Sequence, residues 1–383
     1  MKSIGIICEY NPFHLGHARQ YRMIKEQLEE ATAIVCVMSG NYVQRGMPAM
    51  WDKTTRAAAA LACGADLVVE LPITGVLQSA EGFASTGVEI LNKLGCVDYI
   101  SFGAECGSAE ALMSFAQNMD SPAFADKLRH GLDQGLSYAA ARQQALEDRE
   151  NLLHSPNNIL GLEYCRAILK TGSRLQPLVI PRNGDYHAVT ADTQEPSATF
   201  VRSLFPHGNW QQFVPSEAVS VFTKSSHYDL SWGERAVLAR LRSLSDDEWA
   251  QCAHGSEGLW SKAMRAARSE ATLEDILTAL KSKRYPRTRL QRLLLCAYLG
   301  ISDAQLKQPV PYVRVLGATP KGRELLRKAK QADLIPLVNP GEMPSSLSYY
   351  RLECRASDLY TLFCHPDQVP ICCSEQNRRI LLP

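Results

Sequence analysis

Short, continuous apolar runs punctuate the first hundred residues. Residues 3–8, 33–38, 66–71 and 97–102 each hold a strand's length of mostly apolar side chains. Strands buried on both faces read this way, because neither side of the pleat meets water. The segments 16–30 and 79–94 read as helices between them, and Asp52 is placed to cap a further helix through residues 57–62. Pro72 closes the third run and Gly103 the fourth. Buried strands alternating with helices predict an α/β fold built on a parallel sheet.

The pattern loosens further along. Residues 108–150 read as helical. Ser155-Pro156 opens a helix to about residue 170, with serine as cap and proline in the first turn. Leu178-Val179-Ile180 is a short strand, and Ser197-Ala198-Thr199 precedes another helix start. After Pro215 the chain turns mostly helical, from 231 to 299. A small mixed piece follows, with strands at 312–316 and 335–338 around a helix at 319–332. A division near Ser216 is expected, into an α/β domain, residues 1–215, and a mainly helical domain, residues 216–383. A length of 383 residues suits two domains.

Composition adds mainly exclusions. An apolar fraction of 45% and a charged fraction of 21% are those of a soluble globular chain. With a net charge of +1, any basic surface must be local and balanced elsewhere. The apolar start is too short for a signal peptide, and no run approaches the roughly 20 residues of a membrane helix. The chain therefore reads as cytoplasmic. Its 12 cysteines are mostly scattered, as reduced thiols are. Cys364-His365 with Cys372-Cys373 lacks the paired C-x₂-C spacing of a zinc site, and no metal site is assigned.

In parallel sheets ligands bind beyond the carboxyl ends of the strands. Three glycine- or polar-rich loops fall there, at 9–16, 39–46 and 103–107. The first carries the chemistry. Asn11-Pro12-Phe13-His14-Leu15-Gly16-His17 places two histidines around a glycine at a strand-to-helix junction. The glycine admits a phosphate close to the backbone, and the helix start turns free N–H groups toward an anion. Two imidazoles there can donate to the α-phosphate as pyrophosphate leaves. His14 and His17 are the candidate catalytic residues. Gly103, at a strand end, leaves room for adenine or ribose, or is an ordinary turn glycine. Asn157 and Asn158 lie in the first turn of a helix, where an amide reaches a base edge or serves as a cap. Arg182 can pair with phosphate or lie on the surface. Arg45, Lys53 and Arg56 bring positive charge near the second strand's end. Ser197, Thr199 and Arg202 form either a phosphate-contacting helix start or a plain cap.

The histidine loop resembles the HIGH-type signature of the nucleotidyltransferase superfamily, in which it binds ATP phosphates on a Rossmann-like sheet. Further segments are similar to those of one family, the tRNA(Met) cytidine acetate ligases. They are Ser39-Gly40-Asn41-Tyr42-Val43-Gln44-Arg45-Gly46-Met47-Pro48-Ala49, Asp66-Leu67-Val68-Val69-Glu70-Leu71-Pro72, Ser101-Phe102-Gly103-Ala104-Glu105, and Ser155-Pro156-Asn157-Asn158-Ile159-Leu160-Gly161. The resemblance spans most of residues 1–205. It departs at Met47, where many relatives carry an acid, and in a shortened stretch between Arg182 and Tyr186. The family activates acetate with ATP to acetyl-adenylate and pyrophosphate. It then acetylates N4 of the wobble cytidine of elongator tRNA(Met), releasing AMP. The resemblance places the ATP site on Ile7-Cys8-Glu9-Tyr10-Asn11-Pro12-Phe13-His14-Leu15-Gly16-His17-Ala18-Arg19-Gln20, with Gly103, Asn157 or Asn158, and Arg182. Magnesium is expected to bridge the phosphates.

A basic cluster supplies a candidate surface for tRNA. Lys281, Lys283, Arg284, Arg287, Arg289 and Arg292 fall within twelve residues that hold no acid, and Tyr285 among them is able to stack on a base. Lys321, Arg323, Arg327, Lys328 and Lys330 follow later. A solvated helix face is the alternative. The competing functions are a small-molecule nucleotidyltransferase using the same loop, and a non-catalytic tRNA- or nucleotide-binding protein.

Overall fold

The computed structural model describes residues 2–29, 31–105, 108–136, 138–147, 155–182, 196–282, 284–339 and 341–383. Its framework is a seven-stranded sheet. The strands are β1 (Ser3–Cys8), β2 (Ala33–Ser39), β5 (Leu67–Leu71), β6 (Tyr99–Ala104), β7 (Gln176–Pro181), β8 (Val313–Ala318) and β9 (Leu337–Val338). A two-stranded hairpin, β3 (Tyr42–Val43) and β4 (Met47–Pro48), stands apart. The order across the sheet is β7-β6-β1-β2-β5-β8-β9, and β7 through β5 run parallel.

Alternate residues of the central strands enter separate cores. Ile7, Val35, Val37, Leu67 and Val69 pack on one face; Ile4, Ile6, Cys36, Met38 and Val68 pack on the other. The helices Ala80–Lys93 and Pro156–Thr171 cover the first face, and Leu15–Gln27 and Lys53–Ala62 the second. Covering both faces is why these strands hold no polar alternation. Asp52 caps its helix as expected, accepting from Thr55 N, and Ser197 accepts from Phe200 N; Ser79 and Thr319 cap likewise, from Gly82 N and Gly322 N. Ser155 does not cap its helix as expected, because its hydroxyl donates to the Glu105 carboxylate instead. Pro156 sits in the first turn of its helix as expected.

The sheet is mostly parallel, as expected, with one antiparallel addition: β8 joins β5 with Leu67 opposite Ala318 and a bulge between Val68 and Val69. The sheet also crosses the expected division near Ser216, since β8 and β9 come from beyond it. Between lie helices Ser216–Thr223, Leu230–Ser243, Leu259–Ser269, Leu273–Leu280 and Arg287–Leu299. After β8 the helix Pro320–Ala332 returns tightly against β5. Thr319 N donates to Asp66 O at 2.9 Å, and a Cβ on Gly322 would lie 1.9 Å from that same oxygen.

A buried cluster of charges ties this late segment to the early one. Lys53 Nζ lies 2.7 Å from Glu70 Oε1 and 2.7 Å from Glu375 Oε1. Arg314, on β8, reaches Glu353 at 3.1 Å, Glu375 at 3.4 Å and Glu70 at 3.6 Å. Tyr312 donates to Glu353, and Ser357 Oγ donates to Glu375 at 2.7 Å. All five charged residues are buried. Burial, followed by Glu70, pushes the Glu353 carboxyl up to about 7. Burial also works against ionisation of Glu375, but Lys53, Arg378 and Arg314 outweigh it and hold its carboxyl at about 2. Removing one member of such a cluster strands its partners. Arg314→Met is expected to cost about 3–5 kcal/mol, read from urea unfolding midpoints at constant m-value. A cost below about 1 kcal/mol would show the cluster to be incidental.

Candidate active site

β1 ends at Cys8, and the chain turns sharply out of the sheet. Tyr10 adopts φ +45°, a left-handed conformation unusual for a residue with a side chain. Packing holds it there. Its hydroxyl lies 2.7 Å from that of Tyr21, and its ring meets Phe13 edge-on at 4.9 Å and His17 at 4.8 Å. Asn11 Oδ1 accepts from Met50 N at 2.8 Å, so the loop rests on the segment after the hairpin.

The two histidines cap the helix Leu15–Gln27 reciprocally. His14 Nδ1 accepts from Gly16 N at 3.1 Å, and His17 Nδ1 accepts from His14 N at 3.2 Å. The rings stack at 3.7 Å between centroids, 27° apart. Each Nδ1 is thus an acceptor, so in the neutral rings the hydrogen resides on Nε2. Electrostatics keep them neutral. Burial, then the charge of Arg182, lowers His17 to about 3. Burial, His17, Arg182 and Arg202 hold His14 well below its ordinary value. The pair therefore presents two Nε2–H donors without positive charge. Gly16 makes the stack possible, since a Cβ there would stand 3.0 Å from His14 Cε1.

Neighbouring strand ends close in on this loop. Arg19 donates to Pro181 O at 3.0 Å, and Gln20 to Ser101 Oγ at 3.2 Å, fixing the helix against β7 and β6. Arg202 Nη1 donates to Asn11 O at 2.5 Å. Arg182 follows β7 directly and lies over Gly103, where a Cβ would meet its Cδ at 2.7 Å. Gly103 thus makes room for Arg182. Asn158 is buried, and its Oδ1 accepts from Glu105 N at 2.9 Å. Asn157 is half-buried and donates to Glu105 Oε1 at 2.6 Å, while Ser155 donates to the other carboxylate oxygen. Asn158 thereby shapes the loop after β6, and Asn157 is the more accessible of the two. Residues 183–187, the shortened stretch after Arg182, lie outside the described residues.

Comparison with known proteins decides the family. A HIGH nucleotidyltransferase family model matches residues 1–371. The chain is 38% identical to the tRNA(Met) cytidine acetate ligase of Ligilactobacillus salivarius, covering 94% of this chain and 96% of that one. It is 35% identical to the enzyme of that name from Acetivibrio thermocellus, covering 88% of each. The chain belongs to the tRNA(Met) cytidine acetate ligase family. Solved structures of Thermotoga maritima TmcAL superpose over 100% of both chains. The apo form gives a TM-score of 0.90 at 27% identity, and a form bound with alpha-thio ATP gives 0.89 at 28%.

Within this acetate ligase family member, several positive charges that the sequence offered to phosphate turn inward. Lys53 lies in the buried ion cluster. Arg56 is fully buried and bonds four groups: Trp51 O at 2.9 Å, Glu9 O at 2.5 Å, Ser39 Oγ at 3.4 Å and Gly40 O. It latches β1 to β2 rather than meeting a phosphate. Arg292 is also buried and donates to Gln44 O at 3.3 Å, so it is withdrawn from the basic cluster's outer face. The cluster's other members surround the start of Arg287–Leu299. Arg284 pairs with Glu257 at 2.7 Å, and Arg287 pairs with Glu274. Arg289 donates to Ser256 Oγ at 2.9 Å and lies 4.9 Å from the Tyr285 ring centroid. Lys281 is exposed, and Lys283 lies outside the described residues. The absence of acids in the local sequence concealed these partners from distant helices. Sequence reading also missed that this helix abuts the site. A Cβ on Gly46, in the hairpin turn, would lie 2.6 Å from Arg292 N.

Among the described residues no cluster of three or more metal-ligating side chains occurs, and no helix is long and apolar enough to cross a membrane. None of the described cysteines forms a disulfide.

Two outcomes are expected. His17 refuses protons that the unfolded chain accepts, so stability should fall as pH drops from about 6.5 toward about 3. His17→Gln should flatten that slope in urea titrations taken at several pH values; an unaltered slope would place the effect elsewhere. Gly103→Ala should displace Arg182 and weaken ATP binding about tenfold by calorimetry, the scale of one charge-assisted hydrogen bond.

Proposed function

We propose that this protein is an ATP-dependent ligase that activates acetate as acetyl-adenylate and then acetylates N4 of the wobble cytidine of elongator tRNA(Met). The observation that carries this reading is the end-to-end match to relatives bearing that enzyme's name, with the histidine loop intact. In the first step an acetate oxygen attacks the α-phosphorus and pyrophosphate departs. The Nε2–H groups of His14 and His17 donate to the phosphate oxygens where charge accumulates. Arg182 and Arg202 add positive charge beside them. In the second step the N4 amine attacks the acetyl carbonyl, and AMP leaves. In this reading Ile7 to Gln20 line the ATP site, Glu9 through its backbone alone, together with Gly103, Asn157 and Arg182. Magnesium, brought with the triphosphate, would neutralise charge there.

Residues 216–383 are assigned to tRNA binding. The anticodon base must leave its stack to enter the site. The exposed Lys281, Arg284 and Arg287, with the half-buried Arg289, form the phosphate-facing surface, and the acidic partners Glu257 and Glu274 are surface groups that ion pairs hold weakly.

Mass analysis of tRNA after incubation with ATP, labelled acetate and the protein tests the reaction directly. A 42-Da-type acetyl increment on the wobble cytidine, about 42 Da by the chemistry of replacing hydrogen with acetyl, is expected only when acetate and ATP are both present. Acetate-independent adenylyl transfer to a metabolite would favour the small-molecule alternative. Arg287→Ala with Arg289→Ala should weaken tRNA binding and lower the slope of log K against log salt by roughly 1.4–1.8 for two lost phosphate contacts. An unchanged slope would remove this face from the tRNA interface.

A further inference from the structure

Glu9 stands between β1 and the histidine loop, and the first reaction step has no use for it. A carboxylate beside a triphosphate site is electrostatically unwelcome unless it has a task. Its geometry is tightly specified. Oε1 accepts from Gln44 N at 2.6 Å, and its own carbonyl is gripped by Arg56 at 2.5 Å. Gln44 N donates to Oε1, and among the described residues none donates to Oε2. Glu9 as a residue is half-buried.

Its position is also where two surfaces meet. Gln44, which holds the Glu9 carboxylate through its N–H, accepts at its own carbonyl from Arg292. Arg292 belongs to the helix whose first turn carries Arg287 and Arg289. A nucleotide delivered along that basic face and an adenylate held on His14 and His17 would therefore converge at Glu9. The charged and titratable groups facing it are Arg56 from the helix Lys53–Ala62, Arg202 from Ala198–Leu204, Arg45 from the hairpin turn and Tyr164 from Pro156–Thr171. Burial raises the Glu9 carboxyl, opposed by the Gln44 N–H and the three arginines. A carboxylate so placed is a better proton acceptor than one in water.

We propose that Glu9 receives the acceptor amine: its free carboxylate oxygen accepts an N4 hydrogen of the cytidine and takes up the proton released on acetyl transfer. This rests on the acetyl-transfer reading above. The N4–carbon bond forms and the acyl carbon–oxygen bond to AMP breaks. The phosphate oxygen leaves with the electron pair, and the amine proton passes to Glu9 and then to water. The same contact selects the base. Cytosine presents a donor amine at this position, whereas uracil presents a carbonyl oxygen, which a carboxylate repels.

Glu9→Gln is the test, because the amide oxygen still accepts from Gln44 N while basicity is lost. Two half-reactions are measured on the full chain. Acetate-dependent exchange of labelled pyrophosphate into ATP reports adenylate formation, and single-turnover acetylation of tRNA reports transfer. Transfer is expected to fall about 100-fold or more, the usual contribution of a general base, while exchange falls by at most a few-fold. The wild-type transfer rate should rise with pH along a limb that the variant lacks, and Glu9→Asp should restore part of the rate. Equal losses in both half-reactions would overturn the proposal in favour of a role at ATP. Unchanged transfer would overturn it in favour of anchoring the hairpin. Absence of acetate-dependent exchange in the wild-type chain would instead sink the ligase reading itself.

Discussion

Lys53 is the charge on which the architecture turns. It begins a helix, yet its ammonium is directed away from solvent onto Glu70 of β5 and Glu375 near residue 378. Its backbone N–H also donates to Asn41 Oδ1 at 2.9 Å. One residue thus connects the central sheet, the loop after β2 and the last helix of the chain. Isolated, a buried ammonium would be costly; surrounded by carboxylates that are themselves held by Arg314, it becomes a specific joint. Gly40 is drawn into the same joint, because a Cβ there would stand 2.5 Å from Glu70 Oε1.

The active-site loops inherit their rigidity from that joint. Asn41 leads into the hairpin, the hairpin carries Gln44, and Gln44 fixes Glu9. Tyr42 donates to Ala356 O at 3.0 Å and Tyr360 to Ala49 O at 2.8 Å, so both ends of the hairpin are pinned by one late helix. On the opposite side Arg56 latches the ends of β1 and β2. The histidine pair therefore works from a frame whose supports come from both ends of the sequence, which suits chemistry that depends on preorganised donors.

Much of this was legible in the sequence. β1, β2 and β5 read as apolar runs because both faces of each strand are covered. His14 and His17 read as a pair because their spacing around Gly16 is local. β6 begins two residues later than its apolar run, because Asp98 turns aside to accept from Ser3 N at 2.8 Å. What escaped was whatever depends on distant partners. An apolar run does not state its direction, so β8 read as a strand but not as an antiparallel one. Lys53, Arg56 and Arg292 read as charge free for a phosphate because the groups that neutralise or bond them come from other elements of the fold. The basic cluster was visible, but its acidic neighbours Glu257 and Glu274 were not, since they come from other helices.

The antiparallel strand has a consequence for how the chain is made. The β5 edge waits for β8, and Thr319 meets Asp66 across 253 residues; Tyr360 meets Ala49 across 311. Translation delivers the nucleotide loop early and its supports late. Until the final helices emerge, a nascent chain carries an open sheet edge, and Lys53 has Glu70 but not yet Glu375, next to a finished-looking histidine motif. The frame around the histidine loop is thus completed only by the segments synthesised last.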